Sequence, residues 1–377
     1  MKSFIENHKE QMYKTLEELC AIPSPSHHEH KRAEYCKRWL EGVGAKGVYI
    51  DDALNVIYPI NCEGSDKITV FVAHTDTVFP DLEPMPYVDD GTYIRCPGVG
   101  DDTASVVVLL YAAKYLIENG FNPKNGVMIV LNSCEEGLGN LKGTRQICKD
   151  FAGRIARFIS YDGVFAKMDD RCVGSHRYEV EVFTEGGHSY GAFGRRNAIA
   201  VLSSVINEIY EIEVPKIGSS KTTYNVGGIS GGTSINTIAQ SAKMLCEYRS
   251  DNEDCLATMK AKFEDIFERA KERCLDIKVN LIGERPCMGK VDLTKIDELA
   301  DICRSVIEEV VGVKVSTQSA STDCNIPLSL GIPSLCIGVW NGGGAHTREE
   351  WIEKASIPVG LEVGIKVIEA ITSEVKL

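Results

Sequence analysis

The feature that most constrains this chain is an order that recurs along it. An apolar run of strand length is followed at once by a polar segment carrying an acid or an imidazole. The runs are 68–73 (ITVFVA), 127–132 (VMIVLN), 155–160 (IARFIS) and 334–339 (SLCIGV). None of them alternates apolar with polar, which marks strands covered on both faces, as in a parallel sheet. Residues 104–119 (ASVVVLLYAAKYLIEN) read as a buried helix stopped at Gly120, and 357–373 as another. Pro123, Pro327 and Pro333 fall in connections. The expected fold is α/β, a mostly parallel sheet flanked by helices.

Between these halves the rhythm changes. Residues 177–184 alternate as a one-sided strand does; a helical run at 196–212, strands at 222–229 and 242–249, a long amphipathic helix at 252–274 and a strand at 276–282 follow. That is β-α-β-β-α-β, the split ferredoxin-like unit. It predicts an inserted α+β lid domain at 173–285 within a catalytic domain made of 1–172 and 286–377.

Charge and composition remove several classes. Of 377 residues 44% are hydrophobic, enough for a sizeable core, yet no run reaches the ~20 apolar residues of a membrane span. The first twenty residues are charged throughout and lack the apolar middle of a secretory signal. A net charge of −13 without a basic run disfavours nucleic acid as a partner. The 14 cysteines contain no C-x-x-C pair, and several lie in apolar surroundings. They read as reduced, buried thiols of a cytoplasmic protein.

The chemistry lies just past the strands. His74-Thr75-Asp76 follows the first run; residues two apart in an extended chain share a side, so Asp76 can orient the imidazole of His74. Gly98-Val-Gly-Asp-Asp102 precedes the buried helix. Cys134-Glu-Glu136, Asp162-Gly163 and Gly342-Gly-Gly-Ala-His346 follow the other three strands. The carboxyl edge of an open α/β sheet is where such folds place ligands. Convergence of acids and imidazoles there suits a pair of divalent cations of borderline softness. Three ligand carboxylates, two such cations and one bridging hydroxide are together neutral, whereas the carboxylates alone would repel one another strongly.

The motifs HTDT, GVGDDTAS, CEEGLGNLKG, DG, GGHS and GGGAHT, in this order, resemble those of the di-zinc metallopeptidase and amidohydrolase family of peptidase T, aminoacylase and glutamate carboxypeptidase. The resemblance covers nearly the whole chain and implies a zinc-exopeptidase-like fold. It implies that His74 and Asp162 hold one metal, Glu136 and His346 the other, and that Asp101 bridges them. Asp76 would orient His74, and Glu135 would be the general base. His188, Asn236 and Arg249 in the lid would contact a small peptide substrate. The family's usual ion is zinc, with manganese or cobalt fitting the same ligands. The resemblance also implies a homodimer formed through the lid, and a specificity nearer peptidase T than aminoacylase. Thr103 and Ser105 depart from the Lys and Gly of many relatives, and Glu247-Tyr-Arg249 stands where Asp-x-Arg is common.

Other readings are weaker. Two acids after Gly98-Val-Gly100 would repel a pyrophosphate. Gly228-Ile-Ser-Gly-Gly232 lacks the strand–turn–helix of a nucleophile elbow and reads as a lid loop. The Cys134 thiolate would be disfavoured beside two glutamates, so the residue reads as packing. His27-His-Glu-His30 reads as a solvated helix terminus, and His8 and His176 as surface residues. A non-catalytic relative would have lost the base or a ligand, yet all are present.

Overall fold

In the computed structural model, which describes residues 1–373, the four apolar runs form the strands Ile68–His74, Gly126–Asn132, Ile155–Tyr161 and Ser334–Ile337. Every residue of the first two is buried, as continuous apolar runs require. The four lie side by side and parallel, in the order Gly126–Asn132, Ile68–His74, Ile155–Tyr161, Ser334–Ile337. Antiparallel pairing with Val56–Ile60 and Lys167–Cys172 extends the sheet, and Tyr49–Ile50 and Ser316–Ala320 complete its eight strands.

The strand order places the site. Ile68–His74 is flanked by the next two strands of this parallel set, one on each side, so the chain changes direction across the sheet there. Such a switch point opens a crevice at the strands' carboxyl ends, and His74 is the last residue of its strand. The buried helix Ser105–Glu118 packs on this strand and on Ser356–Thr372, which also meets Leu293–Val311. A small antiparallel sheet joins Val88–Asp89, Tyr93–Arg95, Trp351–Glu353 and Gly342–Gly343. It brings the turn after Pro97 beside the loop that carries His346.

The chain divides into two compact units, Met1–Cys172 with Gly289–Leu377, and Val173–Met288. The second has strands Gly174–Phe183, Thr222–Gly231, Ser241–Ser250 and Asp276–Arg285, with helices Ala198–Tyr210 and Glu253–Ala270. Its sheet is antiparallel, ordered Thr222–Gly231, Ser241–Ser250, Gly174–Phe183, Asp276–Arg285. Leu202, Val205 and Ile209 pack with Val180, Val182 and Met244 in a core of its own. Gly228–Gly231 belongs to the edge strand rather than to a loop. Among the described residues all 14 cysteines are free and buried. No described helix is long and apolar enough to cross a membrane.

Candidate metal centre

His74 ends its strand with its ring fully enclosed. Its Nδ1 lies 3.0 Å from the main-chain oxygen of Asp76, which can only accept, so Nδ1 carries the proton and Nε2 faces the crevice. The Asp76 carboxylate, expected to receive this ring directly, stands at 3.4 Å from Nδ1 and mainly braces backbone. Its Oδ1 accepts from Glu135 N at 3.0 Å, and its Oδ2 from Glu136 N at 3.0 Å and Ser26 Oγ at 2.6 Å. Burial alone would raise this acid, but His74, Ser26 and the Glu136 amide outweigh that and hold it below the usual carboxylate range.

Asp101 sits between two imidazoles. Its Oδ1 is 3.1 Å from His74 Nε2, and its Oδ2 is 3.1 Å from His346 Nε2. His346 Nε2 also approaches Glu136 Oε1 at 3.3 Å. The turn that presents Asp101 is built by local chemistry. Gly98 takes φ 78°, and a Cβ there would stand 2.6 Å from the Thr77 methyl. Thr103 Oγ1 closes the turn onto Gly98 O at 2.6 Å. The buried Glu350 carboxylate accepts from Gly98 N, Gly100 N and Asp101 N at 2.7, 2.8 and 2.8 Å. The departure at Thr103 is therefore structural: its hydroxyl ties the turn and also receives Arg32 at 3.1 Å.

Potential ligand atoms fall into three groups, each within 4.8 Å: Asp101, Glu136 and His346; His74, Asp102 and Asp162; and His74, Glu135 and Glu136. The first is the set expected for one metal. The second contains the expected pair His74 and Asp162 but adds Asp102, for which no ligand role was expected; its Oδ2 accepts from His74 N at 3.0 Å. Without a cation these carboxylates are poorly compensated. Burial, then repulsion from Asp101, pushes Asp162 well above its ordinary range. Burial also raises Asp102 strongly, and it lifts Glu136 to about 7 despite the opposing His346. The Asp101 and Glu136 carboxylates raise His346 to about 11. Asp102 Oδ1 is buried without a hydrogen-bond donor, and Glu136 Oε1 is buried with His346 Nε2 at 3.3 Å beside it. An orphaned buried oxygen, mutually repelling acids and two imidazoles presenting Nε2 fit divalent cations of the kind that take mixed N/O ligands.

The remaining residues singled out from the sequence belong to the inserted unit. His188 lies in a two-residue ladder, Gly187–His188 with Thr237–Ile238. Its Nδ1 is 3.3 Å from the N–H groups of Tyr190 and Gly191, so it accepts and leaves Nε2 as the donor. Asn236 is next to it, its carbonyl accepting from Ser189 N at 2.9 Å. Arg249 is engaged within its own strand: Nε and Nη2 reach Glu247 Oε1 and Oε2 at 2.9 and 3.2 Å.

Two sequence readings need correction. Glu29 of the His27–His30 tract is not solvated but fully buried, bonded to the Cys134 turn at 3.0 Å. His176 is buried too, with Nδ1 2.5 Å from the Tyr248 hydroxyl. Glu29, Arg32 and Glu350 carry no signal in the sequence as parts of the centre, because each looks like an ordinary polar residue until its distant partner is known.

Residues 70–370 match the family model described as Peptidase family M20/M25/M40, and the chain belongs to this family of hydrolases. Among curated relatives, the putative succinyl-diaminopimelate desuccinylase DapE of Mycobacterium tuberculosis is 21% identical over 351 residues, covering 92% of this chain and 94% of that protein. Among solved structures, the aminopeptidase PepT of Bacillus cereus superposes with a TM-score of 0.73 at 20% identity, over 96% of this chain and 98% of that one. YXEP of Bacillus subtilis, described as a dinuclear metal-binding peptidase of the M20 family, has a TM-score of 0.63 at 15% identity, over 99% and 100%.

Proposed function

We propose that this chain hydrolyses the amide bond of di- and tripeptides with a free N-terminus, using two divalent cations, zinc by the habit of its family. The observation that carries the reading is Asp101, whose two oxygens stand 3.1 Å from the Nε2 atoms of His74 and His346. A carboxylate shared between two imidazoles is placed to bridge two metals. Asp162 would complete the His74 site and Glu136 the His346 site, with Asp76 holding the loop that orients them. When bound, the cations supply Lewis-acid polarisation of a carbonyl and acidification of a water.

Glu135 is the base in this scheme. It neighbours a ligand in sequence, lies in one cluster with His74 and Glu136, and has its amide fixed by Asp76. It takes the proton of the attacking water and returns it to the leaving amine. His188 offers Nε2–H to the developing oxyanion. Arg249 offers a fork to the substrate's terminal carboxylate, in exchange for its bond to Glu247. The preference for a free amine rests on Asp at position 162: one methylene shorter than Glu, it would leave room for the amine beside the metal it holds.

A second reading is favoured by the desuccinylase relative: removal of an acyl group from an amino acid. The metal-loaded protein should be assayed on unblocked di- and tripeptides beside their N-acetylated forms and N-acetyl and N-succinyl amino acids. We expect turnover of the unblocked peptides and loss on acetylation. Faster turnover of N-acyl amino acids overturns the peptidase assignment in favour of the deacylase.

We also propose a homodimer through the inserted unit. The edge strand Thr222–Gly231 pairs on one side only among the described residues; Ile229 on that strand is exposed, and so is Ile199, whose side chain lies beside Gly232 just past the strand's end. In that arrangement His188 serves the partner's centre.

A further inference from the structure

Three consecutive amides at the start of the Glu135–Glu136 turn are each received by a carboxylate. Glu135 N and Glu136 N go to the two oxygens of Asp76, and Cys134 N goes to Glu29 Oε1, all at 3.0 Å. Glu29 is fully buried, and the same oxygen accepts from Cys134 Sγ at 3.1 Å and from His27 N at 3.0 Å. Cys134 itself has φ 58°, the left-handed conformation that a non-glycine residue holds only when its surroundings impose it. That kink turns the chain out of strand Gly126–Asn132 so that Glu135 and Glu136 diverge.

The short stretch around Glu29 grips the rest of the centre as well. Ser24 O accepts from Thr77 N at 2.8 Å, and Ser26 Oγ reaches Asp76 Oδ2 at 2.6 Å and Glu136 O at 3.3 Å. Arg32, buried, donates to Thr75 O and Thr103 Oγ1 at 3.1 Å each. Residues 24–32 thus bond to all three loops that carry His74, Asp101 and Glu135–Glu136, and they lie outside the span matched by the family model, 70–370.

We propose that Glu29 is a positioning residue for the reaction: its buried carboxylate oxygen clamps the left-handed Cys134 turn and so sets the direction of Glu135. The claim rests on the peptidase or deacylase reading only in taking Glu135 as the base. All three donors converge on Oε1, while Oε2 has no hydrogen-bond partner. An amide oxygen can therefore replace Oε1, and the clamp needs an acceptor rather than a charge. Misdirecting a base without removing it costs rate more than binding.

The test uses the full-length, metal-loaded protein with Glu29→Ala and Glu29→Gln. Two readouts are followed: kcat and KM on the substrate the parent turns over, and hydrogen exchange of the peptide containing residues 133–137. Glu29→Ala should lower kcat about tenfold or more, with KM within about twofold, and should speed exchange at Cys134. Glu29→Gln should restore both to near the parent. Should Glu29→Ala not fold, Glu29→Gln and Glu29→Asp carry the test, since Asp is too short to reach and should behave as the Ala variant was expected to. The proposal is overturned if Glu29→Ala keeps the parent's kcat, if Gln loses as much as Ala, or if exchange at Cys134 is unchanged. A parent that hydrolyses no amide would sink the functional reading instead, while the exchange experiment would still report on the clamp.

Discussion

The two units hold their polar residues in opposite ways. In the catalytic unit Glu29, Arg32, His74, Asp76, Asp102, Glu135, Glu136 and Glu350 are buried, and bonds between residues distant in sequence tie them together, such as Cys134 N to Glu29, Glu135 N and Glu136 N to Asp76, and Gly98 N to Glu350. In the inserted unit the residues of functional interest are exposed or half-exposed, and their contacts are local: His188 with Tyr190 and Gly191, Arg249 with Glu247. The contrast teaches that the first unit is a preorganised centre whose cost is uncompensated charge. The second presents its polar side chains at or near the surface, held by near neighbours in sequence.

The largest effect should come from removing cations. Chelation should abolish hydrolysis and divalent metal should restore it, because the buried acids gain their compensation from the metal; activity that survives exhaustive chelation would break the contrast at its root. Glu135→Gln should come next, losing at least ~10²-fold in kcat while both metals remain bound, measured by turnover and metal content together. Full activity in that variant would move the base elsewhere.

In the inserted unit the effects should be smaller and of a different kind. Mixing His188→Ala with Glu135→Gln chains under exchange conditions should restore part of the activity if His188 serves its partner. No recovery in proven heterodimers would return it to its own chain. Arg249→Ala should raise KM with kcat nearly unchanged, since the fork binds ground and transition states alike. A fall in kcat at constant KM would place Arg249 in the chemistry itself.

The smallest expected effect concerns Asp323, a buried acid that accepts from Asn132 Nδ2 at 2.7 Å and from Thr144 Oγ1 at 2.5 Å. Burial, with repulsion from Glu135, lifts it from 3.8 to about 6. A carboxyl with a raised folded-state pKa binds its proton more tightly folded than unfolded. Its contribution to stability is therefore largest below 3.8 and falls as pH rises toward about 6. Asp323→Asn should flatten that part of the urea-midpoint profile of the metal-free protein. An unchanged slope would mean that Asp323 does not titrate in this window.

The same contrast explains what could be read from the sequence. Ile68–His74 and Gly126–Asn132 are legible because strands buried on both faces leave no room for polar residues. The metal loops are legible because acids and imidazoles gather at the ends of those strands. Ser316–Ala320 is not, since an exposed edge strand of Ser, Thr and Gln carries no apolar signal. Glu29 and Glu350 escape notice for a deeper reason. Glu29 meets Cys134 and Glu350 meets Gly98 only after the chain has folded, and a glutamate among histidines, like one of the pair Glu349-Glu350, looks solvated. His176 likewise becomes a core residue only through Tyr248 on a strand brought alongside its own.

Asp101 is proposed to join two metal sites, and anomalous diffraction from crystals of the zinc-loaded protein tests this directly. Two peaks per chain are expected to flank the Asp101 carboxylate, one beside His74 and Asp162 and the other beside Glu136 and His346. A single peak, or a pair with Asp101 in contact with only one of them, would contradict it.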